Sequence, residues 1–235
     1  MPSPSLLLAK IKAKQEMKQI KDEQNTIINP SDILFIDGEF TQSGGELLSL
    51  SIVDYDGNTI FNRWYKPKVA TSWPRTEAIH HISPEMVKDC QHVEHDKEYI
   101  QSVLDKAKYV VSMNIREDRR VLANEGINLT RCFDLKHFSY LLFGNENLSL
   151  KAVAEKLGYD VSLATWHRAQ DDAFITYCLF LDLSTVYCHF NGIQERNPIR
   201  LIQLVKKVIK HVKYYKPKVA KKKNQNKNHS NNKKR

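Results

Sequence analysis

Four apolar residues in a row, Ile33-Leu34-Phe35-Ile36, run straight into Asp37-Gly38-Glu39-Phe40-Thr41. An uninterrupted apolar run of this length reads as a strand buried on both faces, which requires a covered sheet. Side chains alternate along a strand, so Asp37 and Glu39 point to one side. Two like charges held that close oppose each other's ionisation. A fold that keeps both needs a compensating cation, and oxygen ligands of this kind suit Mg²⁺ or Mn²⁺. Taken alone, the run also fits a strand ending in an acidic turn.

The neighbouring segments supply the rest of a mixed sheet. Leu47 to Asp54 alternates as a second strand, Asp56-Gly57 is a hairpin turn, and Thr59 to Tyr65 forms a third strand. Gly44-Gly45 turns the chain between the first two strands. A loop through Trp73-Pro74 leads to a helix start at Ser83-Pro84-Glu85. Asp96 to Lys106 reads as helix, Tyr109 to Met113 as a fourth strand, and Glu117 to Glu125 as helix stopped by Gly126. Cys132 to Leu135 reads as a fifth strand and His137 to Phe143 as helix. Ser149 caps another helix, and a last long helix runs from near Asp171 to Phe190 with a core stripe of Thr176, Leu179, Phe180, Leu183, Tyr187 and Phe190. Strands first, then strands alternating with helices, predict an α/β fold: a mixed five-stranded sheet flanked by helices.

Charge divides the 235 residues unevenly. The net charge is +9, yet fourteen of the 36 basic residues lie from Arg200 onward with no acid among them. The body before Arg200 therefore carries about −5, in keeping with a carboxylate cluster that awaits metal. The expected organisation is an N-terminal helical extension (1–30, with an amphipathic stretch at Leu6–Glu23), a main domain (31–192), a basic amphipathic helix (193–215) and a Lys/Asn-rich disordered tail (216–235). The tail reads either as a phosphate-binding arm or as a solvated appendage. Leu6-Leu7-Leu8 is too short for a signal peptide's apolar region, and no run is expected to span a membrane, so a cytoplasmic protein without a membrane partner is expected. Cys90, Cys132, Cys178 and Cys188 lack C-x-x-C spacing and read as free thiols.

Two further acids sit in informative contexts. Asp118 follows the fourth strand in Asn114-Ile115-Arg116-Glu117-Asp118-Arg119-Arg120-Val121-Leu122. Asp172 opens the last helix in His167-Arg168-Ala169-Gln170-Asp171-Asp172-Ala173. A histidine five residues before the helix-opening acid places the imidazole on the preceding loop, where both can face one site.

These pieces resemble the DEDDh exonucleases, the DnaQ-like group. Asp37 and Glu39 look like that family's D-x-E, Asn114 and Asp118 like its N-x-x-x-D, and His167 and Asp172 like its H-x-x-x-x-D. Ile79-His80-His81-Ile82-Ser83 resembles the H-G-I-[TS] element, and Ser149 to Gly158 the apolar helix and glycine before the third motif. The resemblance spans roughly Ile33 to Tyr187 and departs at Gly38, Phe40, His81, Met113 and Glu117. None of these is one of the five catalytic positions; Glu117 adds an acid expected to affect metal affinity.

The resemblance implies a ribonuclease H-like domain and a metal-dependent 3′→5′ exonuclease. It would hydrolyse single-stranded nucleic acid, DNA slightly favoured, to nucleoside 5′-monophosphates. Asp37, Glu39 and Asp172 would bind one of two Mg²⁺ or Mn²⁺ ions, Asp37 would bridge to the second, and Asp118 would reach that ion directly or through water. His167 would act as general base. Phe40, as an aromatic platform for the terminal base, His80 and Asn114 are the expected substrate contacts. A 3′→5′ exoribonuclease, a non-catalytic nucleic-acid-binding module and a proofreading subunit partnered by a DNA polymerase are the alternatives.

Overall fold

The apolar run Ile33-Leu34-Phe35-Ile36 belongs to the middle strand of the sheet. The computed structural model describes residues 28–144, 148–162 and 165–214. Among them β1 (Ile33–Phe40), β2 (Leu47–Val53), β3 (Thr59–Trp64), β4 (Tyr109–Ser112) and β5 (Cys132–Asp134) lie in the order β3-β2-β1-β4-β5. The first three strands are an antiparallel meander, and β4 and β5 run parallel to β1. The predicted mixed five-stranded α/β sheet is the one that forms. The helical extension at Leu6–Glu23 and the tail from residue 216 lie outside the described residues.

Alternation along β1 builds two cores. Leu34, Ile36 and Phe40 face α3 (Lys97–Lys106) and α4 (Ile115–Asn124), with Ile100, Leu104, Val121 and Leu122 among their neighbours. Ile33 and Phe35 face the other layer: α5 (Leu135–Phe143), α6 (Leu150–Lys156), α7 (Ala169–Asn191) and α8 (Pro198–Tyr214). Asp37 and Glu39 continue this second face towards α7.

The β1–β2 register shifts at the end of the motif. Glu39 pairs with Ser49, but Phe40 pairs with Leu47, which leaves Leu48 bulged. Leu48 is thereby free to pack with Trp73, Ile82 and Val87 in a third small cluster under α1 (Pro74–His80) and α2 (Pro84–Val87). Helix α1 replaces the loop expected through Trp73-Pro74. Trp73 provides no side-chain cap; the segment is held by its indole Nε1, which donates to the Ile82 carbonyl at 2.6 Å.

Four other expectations shift. Helix α5 starts at Leu135, since the Asp134 carboxylate accepts from the Lys136 amide (3.0 Å) and so caps it there. Phe190 leaves the core stripe of α7 and is 67% exposed. The basic helix is not a separate appendage: Leu201, Ile202, Leu204, Val205 and Val208 of α8 are buried in the same core as β1 and α7. One helix, α7, is long and apolar enough to cross a membrane, contrary to expectation. In the fold it lies across β1 and β2 with the buried Asp172 in its first turn.

Candidate active site

Room for two carboxylates on a buried sheet face comes from the strand opposite. Asp37 pairs with Ser51 and Glu39 with Ser49, both buried. These two serines are the polar positions of an otherwise apolar β2, a signal that sequence reading passes over. A leucine at either place would fill the space in front of the carboxylates.

Asp118 and Asp172 arrive from helices. Asp118, on the first turns of α4, is 5% exposed, and Ser112 at the end of β4 donates its hydroxyl to Asp118 Oδ2 at 2.6 Å. Asp172, 6% exposed, accepts the His167 amide on Oδ2 at 3.0 Å, while its Oδ1 is buried without a hydrogen-bond partner. Ligand atoms of Glu39, His167 and Asp172 all lie within 4.8 Å of one another. His167 is exposed and holds a left-handed backbone (φ 61°), a conformation that non-glycine residues adopt at a cost of roughly 1–3 kcal/mol. The strain turns the loop so that its amide meets Asp172 while its ring meets the site.

Burial drives the electrostatics. It pushes Asp37 well above the usual carboxylate range, with Glu39, Asp118 and Asp172 adding to the effect in that order. It raises Glu39 to about 8, reinforced by Asp172 and Asp118. Asp118 rises to about 7 against the opposing Ser112 hydrogen bond, and Asp172 to about 6 against the His167 amide. Partial burial, and then His81, lower His167, so its imidazole is neutral near neutral pH. Four carboxylates that resist joint ionisation, one with an orphaned buried oxygen, are what a hard divalent cation would satisfy. The residues therefore fit such an ion.

Other expected site residues are placed differently. Phe40 lies on the opposite sheet face, its ring folded back over Gly38: a Cβ at Gly38 would come within 2.8 Å of Phe40 Cε1. There it packs, partly buried, against the cluster of Leu34, Ile36 and Leu47. His80 is buried at the end of α1 with both ring nitrogens engaged. Nδ1 accepts from the Ile82 amide (3.0 Å), which leaves Nε2–H to donate to the Phe40 carbonyl (3.3 Å). It pins the α1–α2 corner to the end of β1. Asn114 is exposed just before α4 without a side-chain capping bond. Glu117 turns away from the carboxylates. It accepts from the Gly44 amide and from Arg120 (both 2.7 Å) and clamps the β1–β2 turn; hydrogen bonding with Ser43, then Arg120 and Gly44, holds it below the usual range against burial.

His81, where the family pattern has glycine, caps α1 at φ 59° and donates its amide to the Glu77 carbonyl at 2.8 Å. The left-handed backbone accounts for glycine at this place. His81 and His167 border a groove of about 390 Å³ that also takes in Trp64 and Trp166.

The family model described as Exonuclease, that of RNase T, matches residues 34–180. The chain belongs to the DEDDh exonuclease family. Among solved structures, this exonuclease is similar to exonuclease X in complex with 5′ overhanging duplex DNA (22% identity, TM-score 0.55, covering 72% of this chain and 99% of that one). Cell-death related nuclease 4 is similar at 15% identity and TM-score 0.53, over 67% and 64% of the two chains. A 3′-exonuclease in a structure of 3′-end specific recognition of histone mRNA stem-loop gives 11%, 0.51, and 74% and 80%. No curated protein matches the sequence. The exonuclease is thus a hydrolytic nuclease, from a family that generally depends on divalent metal.

Proposed function

We propose that this exonuclease removes nucleotides one at a time from single-stranded 3′ ends, with two Mg²⁺ or Mn²⁺ ions as cofactors. The reading is carried by the meeting of Glu39, His167 and Asp172 within 4.8 Å, where an orphaned carboxylate oxygen and a neutral imidazole share one site. Asp37, Glu39 and Asp172 would hold one ion, and Asp37 with Asp118 the other. Bound there, paired divalent ions neutralise charge on the attacking and leaving oxygens of an in-line displacement.

The chain's own groups do the rest. An unprotonated ring nitrogen of His167 takes a proton from the attacking water, whose oxygen forms the new bond to phosphorus. The bond from phosphorus to the 3′ oxygen of the preceding nucleotide breaks, and that oxygen takes up a proton. The terminal nucleotide leaves as a 5′-monophosphate and the shortened strand keeps a 3′ hydroxyl. The Ser112 hydroxyl and the His167 amide hold Asp118 and Asp172 in place.

DNA is the first substrate of this reading. RNA is the second, supported by the similarity to a structure of histone mRNA stem-loop recognition. The deciding measurement is single turnover on 5′-labelled single-stranded DNA and RNA with Mg²⁺ or EDTA, for the wild type and Asp37→Ala. A ladder that shortens from the 3′ end, and is abolished by EDTA and by the substitution, is the expected result. Shortening from the 5′ end would overturn the polarity. Binding without a ladder on either polymer would favour the non-catalytic module, or a proofreading subunit that needs its polymerase.

A further inference from the structure

The molecule carries a second depression, this one positively lined, away from His167 and built partly from residues beyond the segment shared with the family. It lies between α4, the end of β5 and α8, encloses about 600 Å³, and is bordered by Arg116, Arg119, Lys206 and Lys210, with Asp134 and His137 at its side. All four Lys and Arg residues are exposed, and none forms an ion pair among the described residues. Lys206 is fixed by neutral partners: its Nζ donates to the Cys132 carbonyl at 3.2 Å and lies 5.0 Å over the Tyr109 ring. Its position is set while its charge stays uncompensated. Four cations against one carboxylate make a site for a polyanion.

Its place relative to the carboxylates says which polyanion. Arg116 and Arg119 flank Asp118 on α4. Ser112, which holds Asp118, pairs in register with Asp134 at the edge of the groove. Neighbouring strands are about 4.8 Å apart, so the groove opens roughly one strand spacing from the residue that holds Asp118. Two of the four cations belong to α8, which begins after the family match ends at residue 180 and which the core locks in place.

We infer that this groove takes the phosphate backbone of the strand upstream of the nucleotide being removed. The inference rests on the nuclease reading above, since it gives the groove the same substrate. The cations act as backbone contacts without base readout, so their effect is electrostatic and independent of sequence.

The test compares the full-length chain with Arg119→Gln/Lys210→Gln. Affinity for a 5′-labelled single-stranded DNA 12-mer is measured in EDTA over a series of NaCl concentrations. Hydrolysis of thymidine 5′-monophosphate p-nitrophenyl ester, too short to reach the groove, is measured with Mn²⁺. The expected result is a Kd raised about tenfold at low salt and a salt slope reduced by roughly 1.4, two contacts at about 0.7 each. Ester hydrolysis stays at the wild-type rate. Arg119→Lys/Lys210→Arg, which keeps both charges, retains the wild-type slope. An unchanged Kd and slope in the Gln variant would overturn the inference; so would an equal loss in the charge-preserving variant, or a parallel loss on the ester. If the wild type cleaves neither polymer nor ester but the slope still falls in the Gln variant, the groove stands and the nuclease reading fails.

Discussion

His167 and Asp172 share one hydrogen bond but do different work, and substitution separates them. Replacing His167 by Gln removes the proton acceptor and keeps the backbone amide, so the single-turnover rate should fall about 10²–10⁴-fold with metal affinity little changed. Asp172→Asn should abolish turnover by weakening metal binding, read by titrating Mn²⁺ calorimetrically. If the His167 variant lost metal affinity as well, the imidazole would be a ligand rather than the base. Gly38 gives a sharper packing test. A Cβ there meets the Phe40 ring at 2.8 Å and Leu47 Cδ1 at 3.4 Å, so Gly38→Ala should cost about 1–3 kcal/mol in denaturant unfolding. Phe40→Ala in the same chain should recover part of that loss, a coupling a double-mutant cycle would show. Additive losses would mean that the ring is not what Gly38 accommodates.

Elements that owe their form to one face and one cap are readable before folding; those shaped by their neighbours are not. The β1 run, the Asp56-Gly57 turn and the Ser83 and Ser149 caps each carry their own signal and form where expected. Helix α1 has no such signal, because it is held by a tryptophan indole reaching the Ile82 carbonyl, and α5 starts early through Asp134. The D-x-E, N-x-x-x-D and H-x-x-x-x-D spacings point to the carboxylates and the histidine that the fold gathers. Which face Phe40 takes, and where Glu117 turns, depend on Gly38 and on Gly44 with Arg120 across the chain. Helix α8 looks like a charged appendage in sequence because its lysines dominate composition, although its apolar stripe is buried. Leu204→Ala should therefore cost roughly 2–5 kcal/mol, measured by thermal or urea unfolding. A change within a few tenths of a kcal/mol would show that α8 is not part of the core.

At the scale of the whole molecule, the carboxylate cluster sets how stability responds to pH and metal. Asp37, Glu39, Asp118 and Asp172 all have raised values in the fold, to about 8, 7 and 6 for the last three. A raised folded-state value means that the native state holds protons more tightly than the unfolded chain. The metal-free protein should then be favoured by this cluster below pH 4 and lose that contribution as pH rises through about 6 to 8. In EDTA, Tm should fall across this interval by on the order of 5 °C or more beyond the drift of Asp37→Asn, and Mg²⁺ or Mn²⁺ should restore it. A flat profile with metal removed would contradict the electrostatic account. The four acids are also widely separated in the chain: two end β1, one opens α4, and the last opens α7 well over a hundred residues after the first. During synthesis the first two emerge long before the fourth exists, and β1 has no β4 to pair with until Tyr109 follows. The carboxylate cluster is therefore a product of the finished domain: no stretch of the chain shorter than the span from β1 to the first turn of α7 contains all four acids.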